Sequence, residues 1–378
     1  MSSNGHVPAA ALTLRRLAAP AEGHEQVSFT RWRSGLREVL ATRLSDFLNQ
    51  RCVPDLRGAG IDIAPDLLLG FLEGGKYLRS TFTYLGWLCG ADPDEAALRA
   101  AASFELLHAF ALLQDDVMDG SALRRGKPAV HVTFAQWHRD RGLSGSPKRF
   151  GEAAAVLLGD LCLVWAEQML RESGVAPTAL ERAWPRYDEM RSELAIGQFG
   201  DLVNDASGYP TLDSVLAVAR RKSGNYTVRR PLEIGAALAG CDQRVLTMIA
   251  EYGEAIGEAF QLRDDVLGIF GSPSITGKPA GGDLAERKAT SVVVVAYELA
   301  DGAVRRELLE LMRLPDLGAV DVRKWRGLIE TTGAPQLIEQ MIDARVTRAL
   351  DRVHNTDLDE SIRTALTEMA VACTERAT

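Results

Sequence analysis

Apolar residues recur at three- and four-residue spacing from residue 28 almost to the C-terminus, and no convincing run alternates apolar with polar. That period belongs to helices, so the chain is confined to all-α folds. Gly, Pro and Asp-Pro mark the turns between helices predicted over roughly 29–51, 76–90, 94–119, 152–172, 178–198, 212–221, 224–239, 243–268, 286–301, 304–313, 321–332, 335–353 and 358–374. VVVV at 292–295 is β-prone, but its Ala- and Leu-rich flanks read it as buried helix. A hydrophobic content of 46% supplies a core, and only 6% aromatic residues beside abundant Ala and Leu leans the same way. No linker-like break or fixed-period repeat interrupts 28–378, so it is read as a single-domain helical bundle behind a loose, flexible N-terminal tail over 1–27.

Several function classes are excluded by charge and composition. With 43 Lys+Arg against 51 Asp+Glu the net charge is −8, which argues against general nucleic-acid binding. The five cysteines, Cys52, Cys89, Cys162, Cys241 and Cys373, form no CxxC and suggest a reducing, cytoplasmic setting. The N-terminus has no charged start followed by an apolar core, so it is not read as a signal peptide. Runs such as AAAVLLGDLCLVWA and SVVVVAYELA are interrupted or short, so no membrane span is expected.

Two predicted helices, 94–119 and 243–268, each end in an acidic cluster followed by Gly. A helix of about 25 residues is on the order of 37 Å long, the depth of a domain, which places both clusters at an end of the bundle. In the first, LLQDDVMDGSALRRG, Asp115 and Asp119 share a face with Asp116 beside them. Like charges near a helix C-terminus repel one another and oppose the macrodipole. A Mg²⁺ ion whose remaining ligands come from a substrate phosphate resolves that conflict. A lone DDxxD is more often a solvated helix end. The second cluster, FQLRDDVLGIFGSP, repeats the arrangement with Asp264 and Asp265, 149 residues after Asp115. Two such ends can face each other across one cavity and hold divalent ions around a diphosphate.

Positive charge for an anion comes at discrete points. Arg124 and Arg125 follow the first cluster after Gly120. In EGGKYLRS, Lys76 and Arg79 stand one helical turn apart behind two glycines that can offer backbone N–H groups. Lys222 and Ser223 precede a helix start, and Lys278 and Lys288 flank GKPAGGDLAERK. Each alone is an ordinary surface charge, but together they accompany acidic clusters near turns. His108 lies seven residues before Asp115, on nearly the same face, and is either a core histidine bonded to a carbonyl or a ligand contact.

The motifs GGKYLRS, LLHAFALLQDDVMDGSALRRG, LLGD, AIGQFGDL, RRKSGNYTVRRPLEIGAALAG, AFQLRDDVLGIFG and GKPAGGDLAERKAT occur in this order, and the chain resembles the trans-polyprenyl diphosphate synthases, short-chain geranylgeranyl diphosphate synthase-like enzymes of the bacterial type. The resemblance covers essentially everything after the tail. It implies the isoprenoid synthase fold, a helical bundle around a central apolar cavity. It implies that Asp115, Asp116 and Asp119 with Asp264 and Asp265 bind Mg²⁺, three ions per site, with Mn²⁺ as a substitute. It also implies that Arg124, Lys222, Ser223, Gln261, Lys278 and Lys288 contact the allylic diphosphate. Lys76, Arg79, His108 and Arg125 match the isopentenyl diphosphate site. Asp115, Asp119, Arg124, Lys222, Asp264 and Lys278 are then the catalytic set, and the family suggests a homodimer. The chemistry is ionisation of an allylic C–O bond, attack by the isopentenyl double bond, and proton loss.

Three departures stand out: Gly268 replaces the usual last aspartate of the second motif, and Tyr77 and Ser80 replace a common arginine and proline. The segment 132–151 is long and polar and reads as a surface excursion over the site or an interface. For product length, Ala111 lies one turn, roughly 6 Å, below Asp115 on its face, and Phe110 is rotated aside. A small residue there with a flanking aromatic resembles the C20 pattern, with farnesyl diphosphate, C15, as the alternative; the helix predicted at 152–172 also builds the floor. A class I terpene cyclase would need an Asn/Ser/Glu motif, and NDASGYPTL offers Asn204, Asp205 and Ser207 but no Glu. A helical scaffold or non-catalytic synthase subunit would not need every acidic and basic position intact.

Overall fold

Helix α1 (Phe29–Phe47) shows how the spacing becomes packing. Ser28 caps its N-terminus by accepting from Arg31 N–H, and Leu36, Leu40 and Leu44, a turn apart, are all buried. The computed structural model describes residues 28–58, 60–207, 210–272, 281–314 and 316–375; the predicted tail 1–27 and Lys278 lie outside them. A π-helical turn, Leu48–Cys52, leads from α1 into α2 (Val53–Gly58). Then come α3 (Ala64–Leu72), α4 (Leu78–Leu88) and α5 (Glu95–Met118), followed by a two-residue-per-strand hairpin, β1 (Leu123–Arg124) and β2 (Lys127–Pro128). Helices α6 (Val130–Asp140), α7 (Pro147–Arg171), α8 (Pro177–Ser207) and α9 (Leu212–Ala219) follow. A long π-helical stretch, Arg220–Arg229, joins α9 to α10 (Arg230–Ala239). The remainder is α11 (Gln243–Phe270), α12 (Gly282–Ala285), α13 (Ser291–Leu299), α14 (Gly302–Arg313), α15 (Ala319–Thr331), α16 (Ala334–His354) and α17 (Glu360–Thr374). The fold is all-α.

Two compact units are distinguished: residues up to Arg182 with Gly235–Gly240, and Ala183–Ile234 with Cys241 onward. In the first, α5 is the central helix, packed by α1, α3, α4 and α7, and α6 lies against α7. Its surface is apolar almost all round, from Ala97 and Leu98 to Leu113, which is what a surrounded helix requires. By length and composition α5 and α7 are long and apolar enough to cross a membrane, contrary to the expectation that no stretch is; in the bundle they pack against one another, and 67% of the apolar window of α5 and 44% of that of α7 are buried. In the second unit α11 is central, packed by the π-helical stretch, α13, α16 and α17. Val292 to Val295, all at most 1% exposed, form a buried helix as their flanks predict.

Several boundaries differ from the sequence reading. The 132–151 segment is largely helical: it contains most of α6 and the start of α7. Val130, Phe134, Ala135 and His138 are its buried face, and charged outer positions masked that period. Gly151 of α7 is pressed against His131 O and Ala135, so the two backbones approach where a side chain would not fit. The helix predicted from 286 begins at Ser291, because Arg287 takes a positive φ of 57° and the chain turns there. Helix α3 was not anticipated.

Candidate active site

The end of α5 is closed by its backbone before any side chain acts. Asp119 is the C-cap, Gly120 takes φ +63°, Ser121 N–H donates to Asp116 O (2.9 Å) and Gly120 N–H to Val117 O (3.3 Å). This is a Schellman turn, and it directs the chain back toward the helix end it has just left. The hairpin follows, and its two-residue turn is Arg125–Gly126, both at positive φ (52° and 74°). The hairpin thereby holds Arg124 beside the acidic cluster. Arg124 Nε donates to Asp116 Oδ1 (2.8 Å), Nη2 donates to the same oxygen, and Nη2 also reaches Asp115 Oδ2 at 3.4 Å.

The adjacent acids are therefore not equivalent. The Asp116 side chain is 2% exposed and faces inward onto Arg124, while that of Asp115 is 20% exposed. Burial pushes the Asp116 carboxyl above its ordinary range, opposed by the Arg124 hydrogen bond, and its buried Oδ2 has no hydrogen-bond partner. Burial opposes the charge on Arg124, yet its bonds to Asp116 and then Asp115 raise its pKa and hold it protonated.

Arg79, Arg125, His108 and an unforeseen acid, Glu105, form the neighbouring group. Tyr77 adopts φ +52° before α4 begins at Leu78, so Lys76 is outside the helix and exposed, not one helical turn from Arg79 as the spacing predicts. Arg125 Nη1 donates to Phe71 O (3.3 Å) and Glu73 O (3.1 Å), the carbonyls that end α3. His108 is held neutral: burial, then Arg79, Arg125 and Arg124, push its pKa well below the usual imidazole value. Glu105, one turn earlier on α5, is buried and accepts from Ser80 Oγ at 2.6 Å. Burial raises its pKa, while Ser80, Arg79 and Arg125 pull it down. Its sequence signal was a single Glu in the apolar run SFELLHAF, and Ser80 is its donor.

Phe110 and Ala111 are half-buried on α5, and α7 approaches them through Gly159. A Cβ at Gly159 would lie 3.2 Å from Gln114 Cγ and 3.6 Å from Phe110 O. Gln114 Nε2 donates to Asp160 Oδ1 at 2.8 Å beside that contact.

In the second unit the end of α11 repeats the division of its acids. Asp265 is 6% exposed; it accepts from Gln261 Nε2 (2.7 Å), Ser291 N–H (3.0 Å) and Ser291 Oγ (2.6 Å). It so ties the helix end to the first residue of α13, and burial lifts its pKa to about 6. Asp264 is exposed. Arg263 donates to both Glu339 oxygens at 2.6 Å and to Thr374 O at 2.6 Å, clamping α11 to α16 and α17.

Lys222 and Ser223 do not precede a helix start; they lie within the π-helical stretch that runs unbroken from α9 into α10. Lys222 Nζ donates to Asp201 Oδ2 at 2.6 Å. Glycines draw this stretch against its neighbours: Gly224 and Gly257 meet backbone to backbone, Gly253 meets Arg229, and Gly197 meets Lys222. π-Helical insertions of this kind are frequent at functional sites because they re-aim side chains. Lys288 lies past α12 and pairs with Glu286 at 3.2 Å. Asn204, considered for a cyclase metal motif, is buried and accepts from Ser214 Oγ at 2.9 Å.

Among the described residues, no trio of His, Cys, Asp or Glu is grouped closely enough to hold a metal ion alone. At the helix ends the donors are carboxylate oxygens, and the neighbouring side chains are cationic. That donor set fits a hard cation such as Mg²⁺, which binds through one or two carboxylates and takes its other ligands from phosphate and water.

Comparison with known proteins places these motifs. The family model described as polyprenyl synthetase matches residues 67–325. A geranylgeranyl diphosphate synthase from Mycobacterium tuberculosis is 34% identical over 76% of this chain and 78% of its own length. A geranylfarnesyl diphosphate synthase from Aeropyrum pernix is 32% identical over 77% of this chain and 88% of its own. Among solved structures, the geranylgeranyl pyrophosphate synthase of Corynebacterium glutamicum, complexed with isoprenyl diphosphate and magnesium, is similar with TM-score 0.86 and 34% identity. The match covers 90% of this chain and 98% of that one.

Proposed function

We propose, from the premise that this chain belongs to the polyprenyl synthetase family and is an active short-chain trans-prenyltransferase, that it joins isopentenyl diphosphate to an allylic diphosphate and makes geranylgeranyl diphosphate. Kinship alone does not select the length, because relatives of similar identity are named for C20 and C25 products. The observation that carries the C20 reading is the pair one turn before Asp115: small Ala111 on its face and Phe110 turned aside, both half-buried. Farnesyl diphosphate is the alternative product.

In this reading Asp115 and Asp119 at the end of α5, and likewise Asp264 at the end of α11, are the acids that would bind Mg²⁺. When bound, the ions supply positive charge to the leaving diphosphate. Arg124 is held protonated and in place by Asp116, so it meets that diphosphate without reorganising. Lys222 and Ser223, positioned by the π-helical stretch, serve the same allylic diphosphate together with Gln261, Lys278 and Lys288. Lys76, Arg79 and Arg125 bind the isopentenyl diphosphate, and neutral His108 offers it a hydrogen bond without adding charge. The allylic C–O bond breaks, the isopentenyl double bond attacks the cation, and a proton leaves. Apolar α5 side chains keep water from that cation.

We also assign a homodimer: Leu157, Leu161 and Val164 form one apolar stripe along α7, 63%, 38% and 58% exposed, which a second copy would cover. None of the five cysteines forms a disulfide, which supports a cytoplasmic setting. The test is product analysis after incubating the purified protein with Mg²⁺, isopentenyl diphosphate and dimethylallyl, geranyl or farnesyl diphosphate in turn. A C20 product from farnesyl diphosphate is the expected result. Arrest at C15 overturns the length, and diphosphate release from an allylic substrate alone would mean cyclisation instead.

A further inference from the structure

Helix α11 carries an acid where its surroundings are apolar: in AIGEAFQ, Glu258 lies between Gly257 and Ala259 and is 6% exposed. A carboxylate in such a place is tolerated when charged donors take its oxygens. Arg220 Nε donates to Glu258 Oε1 at 2.7 Å, and its Nη2 reaches the same oxygen at 2.6 Å. Arg345 of α16 donates from Nε to Oε2 at 2.7 Å, and from Nη1 to Met341 O on its own helix at 3.0 Å. Both oxygens of Glu258 are thus taken by arginines. Glu254, a turn earlier, comes only within 3.9 Å of Arg220.

Arg220 is the first residue of the π-helical stretch, and Lys222 and Ser223 follow it directly. On their other side Gly224 meets Gly257 backbone to backbone. Lys222 and Ser223 therefore lie between two fixed points, and adjacent residues of α11, Gly257 and Glu258, supply both. The far end of the stretch is held separately: Arg229 donates to Glu233 (3.2 Å) and Glu254 (3.4 Å), and Asn225 Nδ2 to Glu193 (3.3 Å). A π-helix is rarely self-sustaining, so its register depends on such ties. Burial alone would be served as well by apolar side chains at 220, 258 and 345. What the three charges add is direction, because a guanidinium fork fixes orientation as well as distance.

We propose that Glu258 is a positioning residue for the allylic diphosphate: braced by Arg345 from α16, it holds Arg220 and so sets where Lys222 and Ser223 stand. The inference rests on the prenyltransferase reading, in which those two residues contact that diphosphate. Glu258 itself touches no substrate. Through Arg345, α16 gains a share in allylic binding although it carries none of the predicted site residues. Lys222 is then fixed twice, its main chain through Glu258 and its ammonium group through Asp201.

The test measures steady-state elongation of geranyl diphosphate by the full-length protein with isopentenyl diphosphate and Mg²⁺, each substrate varied in turn. Glu258→Gln keeps the shape of the side chain but can serve only one arginine. It should raise KM for geranyl diphosphate about tenfold and leave KM for isopentenyl diphosphate within about twofold of wild type. Arg220→Met leaves Glu258 paired with Arg345, so it should fold and show the same split even where Glu258→Gln does not fold. A second measurement, calorimetric Kd for geranyl diphosphate with Mg²⁺, needs no turnover and is made with Lys222→Ala and Ser223→Ala combined. In that background Glu258→Gln should change Kd by less than about twofold, because the residues it acts through are gone. The proposal is overturned if both KM values rise together, if neither rises in either variant, or if a tenfold loss persists in the Lys222→Ala, Ser223→Ala background. In each of those cases wild type still elongates and the prenyltransferase reading stands. Wild type that fails to elongate geranyl diphosphate overturns the underlying reading instead.

Discussion

Gly257→Ala offers the sharpest test of the packing that positions Lys222 and Ser223. A Cβ at 257 would lie 2.5 Å from Gly224 O, 2.7 Å from its carbonyl carbon and 2.8 Å from its Cα. Ordinary contact begins at 3.4 Å, so 3.4 minus 2.5 requires α11 and the π-helical stretch to separate by about 0.9 Å. The obstacle is main chain, so no rotamer change relieves it. Overpacking of this kind costs about 1–3 kcal/mol, and the backbone contact argues for the upper part of that range. Alanine regains about 1 kcal/mol over glycine in a helix, leaving a net destabilisation of about 1–2 kcal/mol. Gly327→Ala is the control: exposed in the middle of α15 with nothing within 4 Å, it should stabilise by about 0.5–1 kcal/mol. Denaturant titration of the three proteins measures the difference, and the opposite signs are the signature. Because the displaced stretch carries Lys222 and Ser223, KM for the allylic diphosphate should also rise. A Gly257→Ala protein as stable as the Gly327→Ala one would refute the close approach, and with it the account of how the π-helical stretch is held.

Two further outcomes follow from the first unit. Ser80→Ala removes the hydroxyl that donates to Glu105, at a cost of about 1.5–3 kcal/mol where that carboxyl is ionised. The folded pKa of Glu105 lies above its ordinary 4.5, so the native state holds the proton more tightly and stability falls as pH rises from 4.5 through the folded value. Ser80→Ala raises that folded value further, so its deficit should shrink below pH 4.5 and widen above it; a deficit independent of pH, measured by denaturation across the range, would remove Glu105 from the explanation. Asp115→Ala should lower turnover by about 100- to 1000-fold. It should leave stability within about 1 kcal/mol, since a carboxylate at a helix C-terminus opposes the macrodipole; turnover within a few-fold of wild type would remove Asp115 from the site.

The central helices were legible because α5 and α11 are long, apolar and each stopped by a glycine, signals that tertiary context rarely overrides. Helix α6 was not, because its charged outer face hid a buried face of only four residues, and the start of α4 was not, because the left-handed turn at Tyr77 has no local signature in GGKY. The acidic clusters themselves were conspicuous as unfavourable charge. Their internal division was not read, although helical geometry contains it. Consecutive residues on a helix point about 100° apart, so two adjacent acids cannot both face a ligand.

The structure resolves each Asp-Asp pair the same way. Asp116 and Asp265 turn inward, are nearly buried, and have carboxyls raised by that burial; Asp115 and Asp264 remain the more exposed members. Each inward acid holds a residue further along the chain, Arg124 in one case and Ser291 in the other. It therefore fixes the segment that follows its helix: the hairpin carrying Arg124 and Arg125, and the start of α13 just after Lys288. Doubling the aspartate thus leaves one carboxylate turned outward while the inward one fastens the next segment beside it. Sequence can show that both are present. Only the contacts made by Arg124 and Ser291, eight and 26 residues further along, show which carboxylate of each pair fastens that segment.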